Sequence, residues 1–363
     1  MKRLVSLLLV LAMVFALCAC GGAKKEEAPA AEAPKAEAPA AEAPAAEEAK
    51  EEAVDYGEEV TLMLSHIRPE GSPADIAVKA FAEEVTEATG GTVKFDIYPA
   101  SQLGDYTTVM EMVMVGDVDI QVSTVSTSVD KFFGIANAAY IASTWTEAKE
   151  KFATGSALSE VYMEKMTDYG LKYLCMYPLY FGGIAVGVEP TDPTNPDAKS
   201  GIKIRVPSMV SFEKTAEAFG FLGTPLPSSE TFTAWQTGVV EGAIGMGAEG
   251  YYSNMADLVK YYLPINDHFE CWHAYMNLEK FESLSELQQE AIMTAAANME
   301  ANRWEVAEAE TAEYEQKLRD KGAVVIEFTD EQLQAFGAKA QTEVWPHVAP
   351  EVGEDYFAMV TGQ

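Results

Sequence analysis

The chain is poor in the residues that build catalytic centres and disulfide scaffolds: its 363 residues carry four cysteines and four histidines. Only Cys175 and Cys271 lie beyond the first twenty residues. A disulfide scaffold is excluded at that density, so the folded part must rely on its own core. Both cysteines sit in apolar strand-like runs, Tyr173-Leu174-Cys175-Met176 and Phe269-Glu270-Cys271-Trp272. That setting suits two buried free thiols, and a disulfide formed outside the cell is the alternative reading. His66, His268, His273 and His347 have no metal-ligand spacing, so no zinc site is expected. There is no Ser-His-Asp order, nucleophile elbow, Walker loop or dinucleotide glycine pattern. The chain is therefore expected to use no cofactor and to be no enzyme. A hydrolase working through acidic residues would need a carboxylate pair distinct from a solvated acidic surface, and none stands out. Positive charge is scarce too: 25 Lys and Arg face 57 Asp and Glu, for a net charge of −32. This argues against nucleic acid or an anionic lipid surface as partner. An anionic ligand would have to be held by a local cationic site against the overall field.

Long hydrophobic runs are also missing. The run Leu4–Leu17 is about 14 residues, short of the roughly 20 needed to span a bilayer as a helix. With Lys2 and Arg3 before it, it has the layout of a signal peptide, expected over residues 1–19. Leu17-Cys18-Ala19-Cys20-Gly21-Gly22 follows and resembles the bacterial lipobox, which makes Cys20 the lipidation site. Cys18, preceded by bulky Leu17, fits less well. Acyl chains contribute about 0.8 kcal/mol per buried methylene, so two or more give stable anchorage to the outer face of the cytoplasmic membrane. Residues 20–56 then read as anchor and spacer, with Ala-Glu-Ala-Pro units around Glu32, Glu37 and Glu42. A segment with so little apolar surface cannot offset the entropy of ordering, and its prolines favour an extended form.

The remaining part alternates helix and strand signals. Val60–Ser65 and Val93–Tyr98 read as strands, separated by a helix that Ser72 caps and Pro73 begins. A helix around Thr107–Val115 and a strand at Val118–Val122 follow. Further strands are expected at Leu171–Tyr177, Gly183–Val188, Gly201–Pro207 and Gly238–Ile244, and helices at Met209–Phe219 and Thr231–Thr237. A helix from about Ser285 to Lys321 is too long for one compact lobe. Strand Val324–Phe328 and two short helices would close the chain. The β-α-β rhythm predicts an α/β fold of two lobes, 57–182 plus 271–310 and 183–270 plus 311–363, with a ligand cleft between them and the long helix spanning both.

Several segments together resemble the solute-binding proteins of TRAP transporters (DctP type). They are Tyr98-Pro99-Ala100-Ser101-Gln102-Leu103-Gly104, Lys203-Ile204-Arg205-Val206-Pro207 and Ala234-Trp235-Gln236-Thr237-Gly238-Val239-Val240-Glu241-Gly242. Tyr262-Leu263 before His268, and Phe281-Glu282-Ser283-Leu284-Ser285, are similar as well. The resemblance implies a periplasmic-binding-protein-like fold that closes on a small carboxylate and delivers it to a TRAP permease driven by an ion gradient. A ligand-sensing surface lipoprotein without a transport partner is the alternative. The resemblance also implies that Arg205 pairs with the ligand carboxylate. Its planar fork suits that task, although a salt bridge to one of the chain's many carboxylates would also explain a charge on an apolar strand.

Two positions depart from the family pattern. Gly245 stands where many members carry an asparagine, and Tyr180–Ala185 lacks a further arginine that sugar-acid binders commonly have. These losses point away from a heavily hydroxylated or doubly charged ligand and toward an acid with a less polar body, resting on Phe181, Trp235 or Tyr251, unless those aromatics are plain core. His66 and Arg68 are expected in the loop after the first strand, which faces the cleft in this fold class. Arg68 would supply a second cation and reopen the dicarboxylate option. Ser126 and Thr127, in a hydroxyl-rich turn after the third strand, offer hydroxyls to a ligand or else cap a helix, and Gln102 and Glu249 complete the candidates.

Overall fold

The computed structural model describes residues 54–362. Cys20, the expected signal peptide and nearly all of the spacer lie outside the described residues. Strand β1 (Val60–His66) is followed by helix α1 (Pro73–Ala88), whose N-cap Ser72 accepts a hydrogen bond from the Asp75 N–H at 3.3 Å. The apolar stripe Val78, Phe81, Ala82 and Val85 holds α1 on the sheet, so its chain returns as β2 (Val93–Tyr98), parallel to β1. Helix α2 (Tyr106–Val115) and β3 (Ile120–Ser123) repeat the unit on the other side of β1. A short 3-10 turn over 131–137, α3 (Trp145–Phe152) and α4 (Ala157–Asp168) lead to β4 (Leu171–Phe181).

One residue later the chain enters a second sheet as β5 (Gly183–Val186). There follow β6 (Lys203–Val206), α5 (Val210–Ala218), β7 (Leu222–Pro225), α6 (Thr231–Gln236), β8 (Gly242–Met246), α7 (Ala248–Met255) and β9 (Tyr261–Leu263). The chain then returns as β10 (Phe269–Asn277), antiparallel between β3 and β4. The first sheet has the order β2-β1-β3-β10-β4. Helix α8 (Leu278–Glu282), α9 (Glu286–Asp320), β11 (Val324–Val325), α10 (Asp330–Glu343), α11 (Trp345–Val352) and α12 (Glu354–Thr361) complete the chain. The second sheet has the order β11-β9-β5-β8-β6-β7. The architecture is thus α/β with two lobes, each built on one sheet.

Helix α9 begins with a capping box between Ser285 and Gln288 and runs 35 residues, about 50 Å at 1.5 Å per residue. It packs on β4 and α1 of the first lobe and on α7 and β11 of the second. Its buried Ala291, Ala295 and Ala296 contact the first core, and Tyr314 and Leu318 contact the second. The expected strand at Gly238 starts only at Gly242: Gly238 takes a left-handed φ of +76° to end α6, and Val239 is exposed. The last strand stops at Val325, and three helices follow it where two were expected. Cys175 and Cys271 are free and buried. Among the described residues no helix is long and apolar enough to cross a membrane.

Candidate functional site

A cavity opens between the two sheets, with about 430 Å³ of atom-free space that includes open solvent at its mouth. The first lobe supplies Arg68 after β1, Tyr106 at the head of α2, Thr124 after β3, Asn137, Tyr180 of β4, and Glu270 and Trp272 of β10. The second supplies Arg205 and Pro207 at the end of β6, Met209, Phe212, Ser228, and Gly245 and Met246 of β8. The lining residues from β1, β3, β6 and β8 stand at the carboxyl ends of those strands or in the loop just beyond, where open α/β sheets present their crevices.

Arg205 is 3 % exposed, and its Nε donates to the Leu226 carbonyl at 2.9 Å. No carboxylate among the described residues lies within salt-bridge distance of it. Burial holds its pKa below the usual arginine value, despite opposing contributions from Tyr106, Tyr251, Asp105 and Glu270. A guanidinium that stays charged at neutral pH is thus desolvated, with its terminal nitrogens unmatched by an anion. The salt-bridge explanation of Arg205 does not describe this geometry.

Arg68 is equally buried but well partnered. Its Nε donates to Glu249 Oε2 at 3.0 Å and its Nη2 to the Tyr180 hydroxyl at 2.6 Å, and its guanidinium carbon lies 4.9 Å from the Trp272 ring centre. Burial opposes the charge, but Tyr180 and Glu249 outweigh it and hold the pKa above the ordinary value. Glu249 thus reaches the site through Arg68.

Behind the cavity His268 bridges two carboxylates, with Nδ1 2.7 Å from Asp267 Oδ2 and Nε2 3.1 Å from Glu270 Oε2. Burial disfavours the imidazolium, yet Asp267 and Glu270 overcome this and raise the pKa to about 10. Glu270 also accepts from Asn137 Nδ2 at 3.1 Å and from Trp272 Nε1 at 2.6 Å. His268 titrates near 6.5 in the unfolded chain. Its folded value lies above that, so its contribution to stability is complete below pH 6.5 and disappears as pH rises toward 10. Urea denaturation from pH 6.5 to 10 should show this declining slope, and His268→Gln should flatten it. An unaltered slope in the variant would refute the assignment. His273 is opposite in sign: burial against Tyr162 (ring centres 4.2 Å apart) lowers its pKa to about 3, so its share is lost as pH falls from 6.5 toward 3.

The other expected site residues lie away from the cavity. His66 is buried and held by Asp75 at 3.2 Å, tying the end of β1 to α1. Gln102 is exposed on a turn. Ser126 caps no helix: it donates to Thr107 Oγ1 at 3.1 Å and accepts from the Ser128 N–H at 3.2 Å within its own turn, while Thr124 is the hydroxyl that reaches the cavity. Thr127 lines a separate crevice with Lys131 and Glu351. Phe181 packs with Trp145 and Phe269, at ring distances of 5.5 and 5.1 Å, where the chain passes between sheets. Trp235 is core beneath α6, and the Tyr251 hydroxyl lies 2.6 Å from the Ala243 carbonyl and 2.9 Å from that of Gly183. A less polar ligand body resting on these three aromatics is therefore not what this cavity offers.

Gly245 lines the cavity with a φ of +89°, and a Cβ there would stand 2.6 Å from Pro207 Cγ. Any side chain there, asparagine included, would require the Pro207 ring to move. Asn137, Tyr180, Glu270 and Trp272 were not found from the sequence. Glu270 carried the one available signal, a carboxylate inside the mostly apolar run Phe269–Met276.

The profile of the bacterial extracellular solute-binding protein family 7 (DctP) matches residues 64–350. A solute-binding protein of Roseobacter denitrificans is 25% identical over 299 residues, covering 82% of this chain and 90% of that protein. A TRAP periplasmic solute-binding protein from Sulfurospirillum deleyianum, solved with bound succinate, superposes with a TM-score of 0.75 at 19% identity, over 84% of this chain and 98% of its own. The sugar-acid-binding protein of Advenella mimigardefordensis, in complex with galactonate, gives a TM-score of 0.77 at 19% identity, over 84% and 97%. The chain belongs to the bacterial extracellular solute-binding proteins of family 7, a family of binding proteins and not of enzymes.

Proposed function

We propose that this protein captures a small organic acid in the cavity between its lobes and delivers it to an ion-gradient-driven TRAP permease. The observation that carries the reading is Arg205: a buried guanidinium with no carboxylate partner among the described residues, at the wall of the cavity between the lobes. A ligand carboxylate meeting its two terminal nitrogens would form parallel charge-assisted hydrogen bonds in place of lost hydration. Family membership and the succinate and galactonate held by structurally similar proteins support the same ligand class. Lobe closure would be a hinge motion at the strand connections between the sheets, with α9 spanning both. The test is calorimetric titration with mono- and dicarboxylic acids of two to eight carbons, followed by uptake assays with the permease subunits present and absent. A panel without a single binder would overturn the reading.

Anchorage through Cys20 belongs to the same proposal, because a tether keeps the binder near its permease. Cys20→Ala is expected to move the protein from the membrane fraction to the soluble fraction and to abolish incorporation of labelled fatty acid. Retention of both label and membrane association would remove Cys20 from this role.

A further inference from the structure

Three ionised side chains line the cavity among the described residues: Arg68, Arg205 and Glu270. Two of them already have partners of opposite charge. Arg68 is held by Glu249 at 3.0 Å, and Glu270 by His268 at 3.1 Å. His268 also serves Asp267 at 2.7 Å, so that buried triad carries one net negative charge. Arg205 carries the one net positive charge, and Asp105 near it, at the N-cap of α2, is a further acid. The wall opposite Arg205 is thus acidic, and no second free cation waits for a second anionic group. A dianion would leave one carboxylate unpaired in a desolvated space beside Glu270, the costly arrangement for buried charge.

Glu270 has more to offer a neutral group. Its Oε2 accepts from His268 and Asn137, whereas Oε1 accepts from Trp272 alone. A carboxylate oxygen has two acceptor positions, so Oε1 retains one for an incoming donor. Resting on the carboxylate reading above, we propose that the cavity selects singly charged hydroxy-acids: one carboxylate on Arg205, and on Glu270 a hydroxyl where a dicarboxylate would bring its second charge.

Two pairs of acids differ only in that exchange, galactonate with galactarate and 4-hydroxybutanoate with succinate. Calorimetry on protein expressed from the full chain is expected to show the singly charged member binding at least tenfold more tightly in any pair that binds. Glu270→Gln keeps the shape and removes the charge, and should bring the ratio close to one, chiefly by tightening the diacid. A diacid binding as well as or better than its partner in the unaltered protein overturns the proposal, and that measurement stands alone if the variant does not fold. Failure of all four acids also overturns it. The broader carboxylate reading falls only if the wider acid panel is silent as well.

Discussion

Replacing Arg205 with methionine should abolish tight capture of a carboxylate ligand while leaving the empty protein as stable as before, or more so. Truncating one partner of a desolvated, hydrogen-bonded charge pair typically costs about 2–5 kcal/mol of binding, a loss of some 30-fold to several thousand-fold. The unusual part is the stability. Most buried arginines are held by a carboxylate, so their removal strands a charge. Arg205 has only the Leu226 carbonyl on its Nε, and burial already works against its ionised form. Methionine fills much of the same volume and removes that desolvation cost at the loss of one hydrogen bond, worth about 1 kcal/mol. Arg205→Lys separates charge from geometry: it keeps the cation, loses the fork, and should fall between the two. The measurement pairs calorimetric affinity for the tightest acid with urea denaturation of the unliganded protein. An unchanged affinity, or a stability loss as large as the binding loss, would mean that Arg205 serves the fold.

Arg205 was legible because a charge at the end of an apolar strand is conspicuous, and the segment around it resembles a known family. The lobes and α9 were legible for a related reason. Helix α9 has a capping serine, a glutamine three residues on and a glycine stop at Gly322, all local signals, and α1 is marked by Ser72-Pro73 in the same way. The rest of the site was hidden because it is assembled across the chain. Arg68 meets Glu249 from 181 residues away, and Asn137 meets Glu270 from 133. No local pattern distinguishes Tyr180, which lines the cavity, from Phe181, which faces the aromatic cluster at the crossover. Alternation along β4 sends the two to opposite faces, and which face meets ligand depends on where the second lobe sits. Trp235 and Tyr251 misled for the converse reason. An aromatic near a glycine-rich strand looks available to ligand until the core that claims it is assembled.

Glu249→Gln should cause the largest loss of stability of any single substitution in the site, and should relax its preference for single charge. Arg68 follows β1 of the first lobe and Glu249 lies on α7 of the second, so their 3.0 Å ion pair joins the lobes across the cleft wall. Both side chains are nearly fully buried, at 4% and 8% exposure. Breaking a buried pair by removing one partner typically costs about 3–5 kcal/mol, because the remaining charge keeps its desolvation penalty without its counterion. At about 2–4 °C per kcal/mol, Tm should fall by roughly 6–20 °C. Arg68→Met should be similarly damaging, since it strands Glu249, which would keep only Ser253 Oγ at 2.9 Å. The double variant Arg68→Met with Glu249→Leu should recover much of the loss, and a double-mutant cycle should return a coupling well above the few tenths of a kcal/mol expected of independent sites. Ligand selection supplies an independent readout. With Glu249 neutral, Arg68 becomes a second buried cation at the cavity wall without a carboxylate, so succinate and galactarate should gain on their singly charged partners. Single variants whose effects simply add, together with an unchanged acid preference, would mean that the pair neither locks the lobes nor sets the charge that the cavity accepts.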